Sequence, residues 1–139
     1  MNPSRRKMDA SLKSIVVPHL RELGFSGSYP HFRRMKDKGI DLISFQFDKY
    51  GGGFVVEVSH CPRAGITTYW GKVIPPNKVQ AWDMPPNMRL RIQPDAGHGT
   101  ESWFRYDTLS LSSNIYDEVC HKVIELLEEK AVLFWNQHR

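Results

Sequence analysis

His60 and Cys61 are adjacent in the chain, and an imidazole beside a thiol is the combination that yields a nucleophilic thiolate when the ring takes the sulfur's proton. Adjacency works against that chemistry. Neighbouring side chains on a strand project to opposite faces, so the two meet only if the strand ends in a bulge; otherwise His31 or His98 has to serve as the base. The plainer reading is a strand-end histidine beside a packed or edge cysteine. The six histidines, His19, His31, His60, His98, His121 and His138, show no HxxxH or HxH spacing, and Cys61 and Cys120 form no CxxC pair. No metal site and no cofactor is expected from such spacing. The run Gly51 to Gly53 lacks the following lysine and the helix of a phosphate-binding loop, and reads as a hairpin turn. No catalytic residue is assigned.

The remaining chemistry is that of recognition. If Ile43, Phe45, Phe47, Phe54, Val56, Val58, Leu90 and Ile92 form the helix-facing side of a sheet, the opposite side collects Arg33, Ser44, Gln46, Glu57, Ser59, Arg89 and Arg91. The expectation is an open, polar, arginine-containing face, partly roofed by a loop that runs from Trp70 to Trp82. Arginines beside an acidic residue usually make a solvated cross-strand ladder. Arginine with tryptophan is also the composition of interface anchors and of single-stranded nucleic-acid platforms. The candidate binding surface is therefore Arg33, Gln46, Glu57, His60, Trp70, Trp82, Arg89 and Arg91, with Trp103 from a later aromatic segment.

These residues need elements to hold them, and the strongest pattern is the stretch from Ile40 to Cys61. Ile43, Phe45 and Phe47 alternate with Ser44, Gln46 and Asp48, glycines follow, and Phe54, Val56 and Val58 resume the alternation: a β-hairpin. Ahead of it, Leu12, Ile15, Val16, Leu20 and Leu23 fall on one face of a helix from about Asp9 to Leu23, with a kink expected at Pro18 and a stop at Gly24. Tyr29 to Met35 reads as a short edge strand and Met88 to Gln93 as a fourth strand. Trp103 to Tyr106 is a fifth if it pairs. Ser112, Ser113 or Asn114 caps a final helix whose stripe is Tyr116, Cys120, Val123, Ile124, Leu127, Ala131 and Phe134. Between the third and fourth strands lies a long loop, residues 62–87, in which Pro75, Pro76 and Asn77 recur as Pro85, Pro86 and Asn87; it reads first as a packed structural loop, with a functional lid or ligand wall as the alternative. The fold class is α+β: an antiparallel sheet of four strands, or five, with an N-terminal and a C-terminal helix packed on one face.

At 139 residues the chain has the size of one globular domain, residues 1–139, with a basic tail over residues 1–8 that could be mobile. No apolar run reaches the length of a membrane span, and polar residues from Asp9 to Ser14 interrupt any signal-peptide core after Arg5, Arg6 and Lys7. A cytoplasmic location with reduced cysteines is expected. The net charge of +4 is carried by the first half, where eleven basic residues face six acidic ones in residues 1–70, against eight and nine in residues 71–139. Spread over a tail, a strand and a turn, this excess reads as a generic basic surface rather than a dedicated polyanion site.

The order of elements, together with Leu20, Leu23, Gly24 and Phe25, Phe32 and Arg33, Asp41, Leu42 and Ile43 through Phe47, Gly53 and Phe54, Arg89, Arg91 and Ile92, and Trp103 and Phe104, resembles the bacterial domain-of-unknown-function family numbered 4304. The likeness covers most of the chain and is thinnest over the proline-rich loop. It implies a small cytosolic bacterial domain with no established activity.

Absence of a reactive constellation, with one open polar and aromatic face, points to a non-catalytic module. That module is expected to hold an unidentified protein partner on the sheet face and the 62–87 loop, as an adaptor or an immunity protein would. One alternative is nucleic-acid binding through Arg5, Arg6, Lys7, Arg33, Arg34, Arg89 and Arg91. Another is an enzyme using His60, Glu57 and the arginines on a small anionic substrate. A monomer or weak homodimer is expected, with no membrane partner.

Overall fold

The computed structural model describes residues 2–94, 103–108 and 114–138. Its first helical rod is α1 (Pro3–Ser11), a π turn (Leu12–Val16) and α2 (Val17–Glu22) in unbroken succession. The sequence places the start of this helix at Asp9 with a basic tail before it; the helix instead begins at Pro3, so residues 3–8 belong to the fold. Asn2 Oδ1 accepts from the amides of Ser4 and Arg5, and proline at the first helical position gives up only an amide that has no partner there. Met8 is fully buried and extends the stripe of Leu12, Val16 and Leu20 by one turn. Arg5 is held to the helix by Asp9 at 3.2 Å and lies over the Phe47 ring. At Pro18 the missing amide is absorbed by the π turn, in which Val17 bonds to Leu12 five residues back. Gly24, at φ +97°, ends the rod: its amide reaches the Arg21 carbonyl and the Phe25 amide reaches that of Leu20, the paired bonds of a left-handed helix stop.

Among the described residues the main sheet has six antiparallel strands. They are β1 (Ser26–Ser28), β2 (His31–Lys36), β3 (Gly39–Phe47), β4 (Gly53–Cys61), β7 (Arg89–Ile92) and β8 (Phe104–Arg105). The order is β1-β2-β3-β4-β7, and β8 pairs with the first residues of β4. The hairpin read from Ile40 to Cys61 is β3 and β4, in register from Ile40 opposite Cys61 to Phe47 opposite Phe54. The aromatic segment does pair, which adds the fifth expected strand; the sixth is the polar stub β1, whose Ser-Gly-Ser sequence gives no alternation to read.

A second rod closes the same face. Asn114 Oδ1 accepts from the amides of Tyr116 and Asp117, followed by α3 (Ile115–Leu126), a π turn (Leu127–Ala131) and α4 (Val132–Gln137). The rods are tied side by side by Ser11 to Asp117 at 2.9 Å and by His19 against Glu128 at 2.8 Å. Between rods and sheet lies the larger core, in which Phe32, Ile43, Phe45, Phe54, Val56, Val58 and Ile92 meet the helix stripes and Trp135. Cys120 sits within it, its thiol pushed up to about 12 by burial.

The opposite sheet face departs from the open surface read from the sequence. Ile40 and Leu42 share it with Arg33 and Ser44, since side chains of one parity lie on one side. The segment after β4 folds back over them, through β5 (Ile66–Thr67), β6 (Val73–Ile74) and single 3₁₀ turns at Ala81–Asp83 and Pro86–Met88. Ile40, Leu42 and Cys61 join Ile74, Val79, Ala81 and Met84 in a second, smaller core. β3 is thus buried on both faces, which is why its first seven residues are all inaccessible. The recurring Pro-Pro-Asn units build the same local piece twice: the carbonyl of Pro75 accepts from Lys78, and that of Pro85 from Met88, each with the second proline fixing the first turn residue.

Candidate binding groove

Four of the sequence-selected polar residues, Arg33, Glu57, Arg89 and Arg91, fasten this cap to the sheet or balance charge beneath it. The guanidinium of Arg33 donates to the carbonyls of Pro76 and Val79. Arg89 donates to the carbonyl of Trp82 at 3.2 Å, and Arg91 to Glu57 at 3.1 Å. Glu57 is nearly inaccessible and lies 3.8 Å from Arg89 as well, so two cations compensate one buried carboxylate. Trp82 stands edge-on to His31, whose Nδ1 lies 2.9 Å from the Ser44 hydroxyl. Burial, reinforced by the neighbouring Arg33 charge, holds the His31 pKa below its usual value. Burial also pushes the Cys61 thiol up to about 11, so Cys61 is a packed residue of the second core rather than a thiolate nucleophile. Gln46 lies on the same face beyond the cap and is exposed.

Two of the selected residues lie elsewhere. His60 is on the helix-facing side, because it pairs with Asp41 while Glu57 pairs with Ser44. The enzyme reading joined His60 to Glu57; the strand's alternation puts them on opposite faces. His60 Nδ1 is 3.0 Å from Asp41 Oδ1, and Arg34 reaches Asp41 Oδ2 through Nε at 3.0 Å and Nη2 at 2.8 Å. The Arg34 guanidinium lies over the rings of Phe25 and Trp135, and donates also to the Leu23 carbonyl. This buried cluster joins the end of α2, the sheet and the second rod. Gly39, at φ +151°, is required beside it, since a Cβ there would collide with the His60 ring and the Cys61 carbonyl. Trp103 lines a different cavity, shared with Phe104, Ile115 and Val119, and is not among the residues of the cap's groove.

What the cap presents outward is a groove of about 680 Å³. One wall is the β5–β6 hairpin, whose tip is closed by Thr68 and Lys72 through two hydrogen bonds and by Gly71 donating to Thr68. The tip carries Tyr69, 98% exposed, and Trp70, 64% exposed, with ring centroids 4.8 Å apart and planes nearly perpendicular. The remaining lining includes Trp82 and Pro86 from the two 3₁₀ turns, Met84 and Pro85 between those turns, and Pro62. Asp83 is the charged residue in the lining; its Oδ2 accepts from the Gln80 amide at 2.7 Å and fixes the first turn. Trp70 and Trp82, selected from the sequence, are therefore brought to one site. Tyr69, Asp83, Pro85 and Pro86 join them, and the signal for them was present: an aromatic pair just before Gly71, and a doubled proline beside a tryptophan.

Among the described residues no helix is long and apolar enough to cross a membrane, and no group of His, Cys, Asp and Glu is arranged to hold a metal ion. No curated protein and no solved structure matches the chain. The model of a family described as a domain of unknown function, DUF4304, matches residues 16–137, from the first rod through the sheet to the second rod, and the chain belongs to that family.

Proposed function

We propose that this chain is a non-catalytic binding domain that holds a protein partner in the groove of its cap, in the manner of an adaptor or an immunity protein. The observation that carries this reading is the pair Tyr69 and Trp70, the first almost wholly and the second largely in solvent, at the rim of an apolar groove. Large aromatic side chains gain little from that position in the isolated chain, and they are the residue types that dominate binding energy at interfaces. The cap beneath them is fastened by charged hydrogen bonds and its own small core, so the groove is formed before a partner arrives and less ordering entropy opposes binding.

The alternatives have less support. Of the arginines named for nucleic acid, Arg5, Arg33, Arg34, Arg89 and Arg91 each bind a carboxylate or carbonyl of the chain itself. The enzyme reading loses its His60–Glu57 pair. The test is affinity capture from native cytosol at physiological salt, with and without nuclease, using wild type and Trp70→Ala. A stoichiometric protein that survives nuclease and is lost with Trp70→Ala is expected. Retained material that disappears on nuclease treatment, or a partner held equally by the variant, contradicts the reading.

A further inference from the structure

The groove's lining is apolar, yet its rings carry hydrogen-bond donors. Among the described residues neither the indole N–H of Trp70 or Trp82 nor the hydroxyl of Tyr69 has a partner within the chain. An occupant that suits this surface has flat apolar faces and unpaired carbonyls. A helix has the first without the second, since its carbonyls are bonded to its own amides. An added β-strand needs a long open edge, whereas β5 and β6 have two residues each and pair with one another. A polyproline II segment has both: it makes no internal hydrogen bonds, directs every carbonyl outward, and alternates them with pyrrolidine rings that pack on aromatic faces.

The charge in the groove adds a second requirement. Asp83 is the charged residue among those lining it, and one of its oxygens already caps the Ala81–Asp83 turn. A carboxylate retains acceptor capacity after a single bond, and that capacity is strongest toward a guanidinium or ammonium. Arg63, Lys72 and Lys78 belong to the same segment but are not in the lining, so the charged side chain that faces an occupant is Asp83. The wall opposite the hairpin is itself stiff, since Pro85 stands at φ −67° and ψ 161° and Pro86 opens the next turn.

Resting on the groove as recognition surface and naming its ligand, we infer that it binds an extended proline-rich segment of a partner protein, in the polyproline II conformation, with one arginine or lysine set against Asp83.

The test titrates the full chain with synthetic peptides in which a single arginine is placed at each position along a run of prolines, and with the same peptides carrying glutamate instead. Binding is followed by amide NMR shifts and tryptophan fluorescence. Shifts are expected on residues 66–70 and 82–88, with affinity falling by about tenfold or more in Trp70→Ala. Asp83→Asn, which keeps an oxygen for the Gln80 amide, is expected to erase the preference for arginine over glutamate. No shifts with any peptide, shifts outside the groove, or equal binding of the glutamate set by wild type overturns the inference. So does an oligothymidylate that shifts the groove residues in the peptides' place. A captured partner that is lost with Trp70→Ala yet is not displaced by any of the peptides sinks this inference and leaves the recognition surface standing. A partner retained equally by Trp70→Ala sinks the surface itself.

Discussion

Asp41 is a fully buried carboxylate held by a guanidinium and an imidazole, and its neighbourhood shows what single residues do in this fold. A buried ion pair is weak evidence for net stability, but removing the carboxylate leaves the Arg34 guanidinium without its counter-charge and the His60 ring without its hydrogen-bond partner. Asp41→Ala is therefore expected to cost about 3–5 kcal/mol in urea unfolding; a loss below about 1 kcal/mol, the worth of an exposed pair, contradicts the account. His31 makes the opposite kind of contribution. Its folded pKa lies below the ordinary value near 6.5 because burial and Arg33 disfavour the charged ring. The unfolded chain then binds the proton first, so the stabilisation is present above pH 6.5 and is lost as pH falls through the folded value. The His31 ring is expected to titrate below 6.5 in an NMR pH series, and an unchanged midpoint or one above 6.5 contradicts this. Neither role was legible in the sequence, where Asp41 reads as one polar residue in an apolar run and His31 as a spare base.

At the scale of elements, the two rods and the β3–β4 hairpin were legible because each rests on a single periodicity, and a stripe such as Leu12, Val16 and Leu20 survives whatever packs on it. The start of α1 was not, because Arg5, Arg6 and Lys7 look solvated until Arg5 is seen bound to Asp9 and Phe47. Nor was the covered second face. Ile40 and Leu42 have the parity of Ser44, but that signal is spread over a strand in which both parities are apolar, and the covering segment has no period of its own. Gly24→Ala is expected to destabilise the protein by about 1 kcal/mol, since the stop at φ +97° is strained for any residue with a Cβ; unchanged thermal unfolding contradicts that role. Arg33→Met removes the donors that hold Pro76 and Val79. Hydrogen exchange over residues 62–88 is then expected to accelerate, while the rods keep their protection. Equal acceleration everywhere contradicts the cap as a separately fastened unit.

At the scale of the whole molecule, the chain is a sheet with two unlike sides: a large core under two helical rods, and a small core under a cap that presents aromatic side chains outward. Of the candidate surface chosen from the sequence, Trp70 and Trp82 stand in the groove, while Arg33, Glu57, Arg89 and Arg91 support or flank the cap beneath it. Residue type alone marks a side chain as suited to recognition; the folding back of the cap decides which of them faces outward. The most direct test of this division is a hydrogen-exchange footprint of the protein bound to its captured partner. Protection concentrated in residues 66–70 and 82–88 is the expected result. Protection centred on the outer surfaces of the helical rods, with the hairpin tip unchanged, would contradict the account.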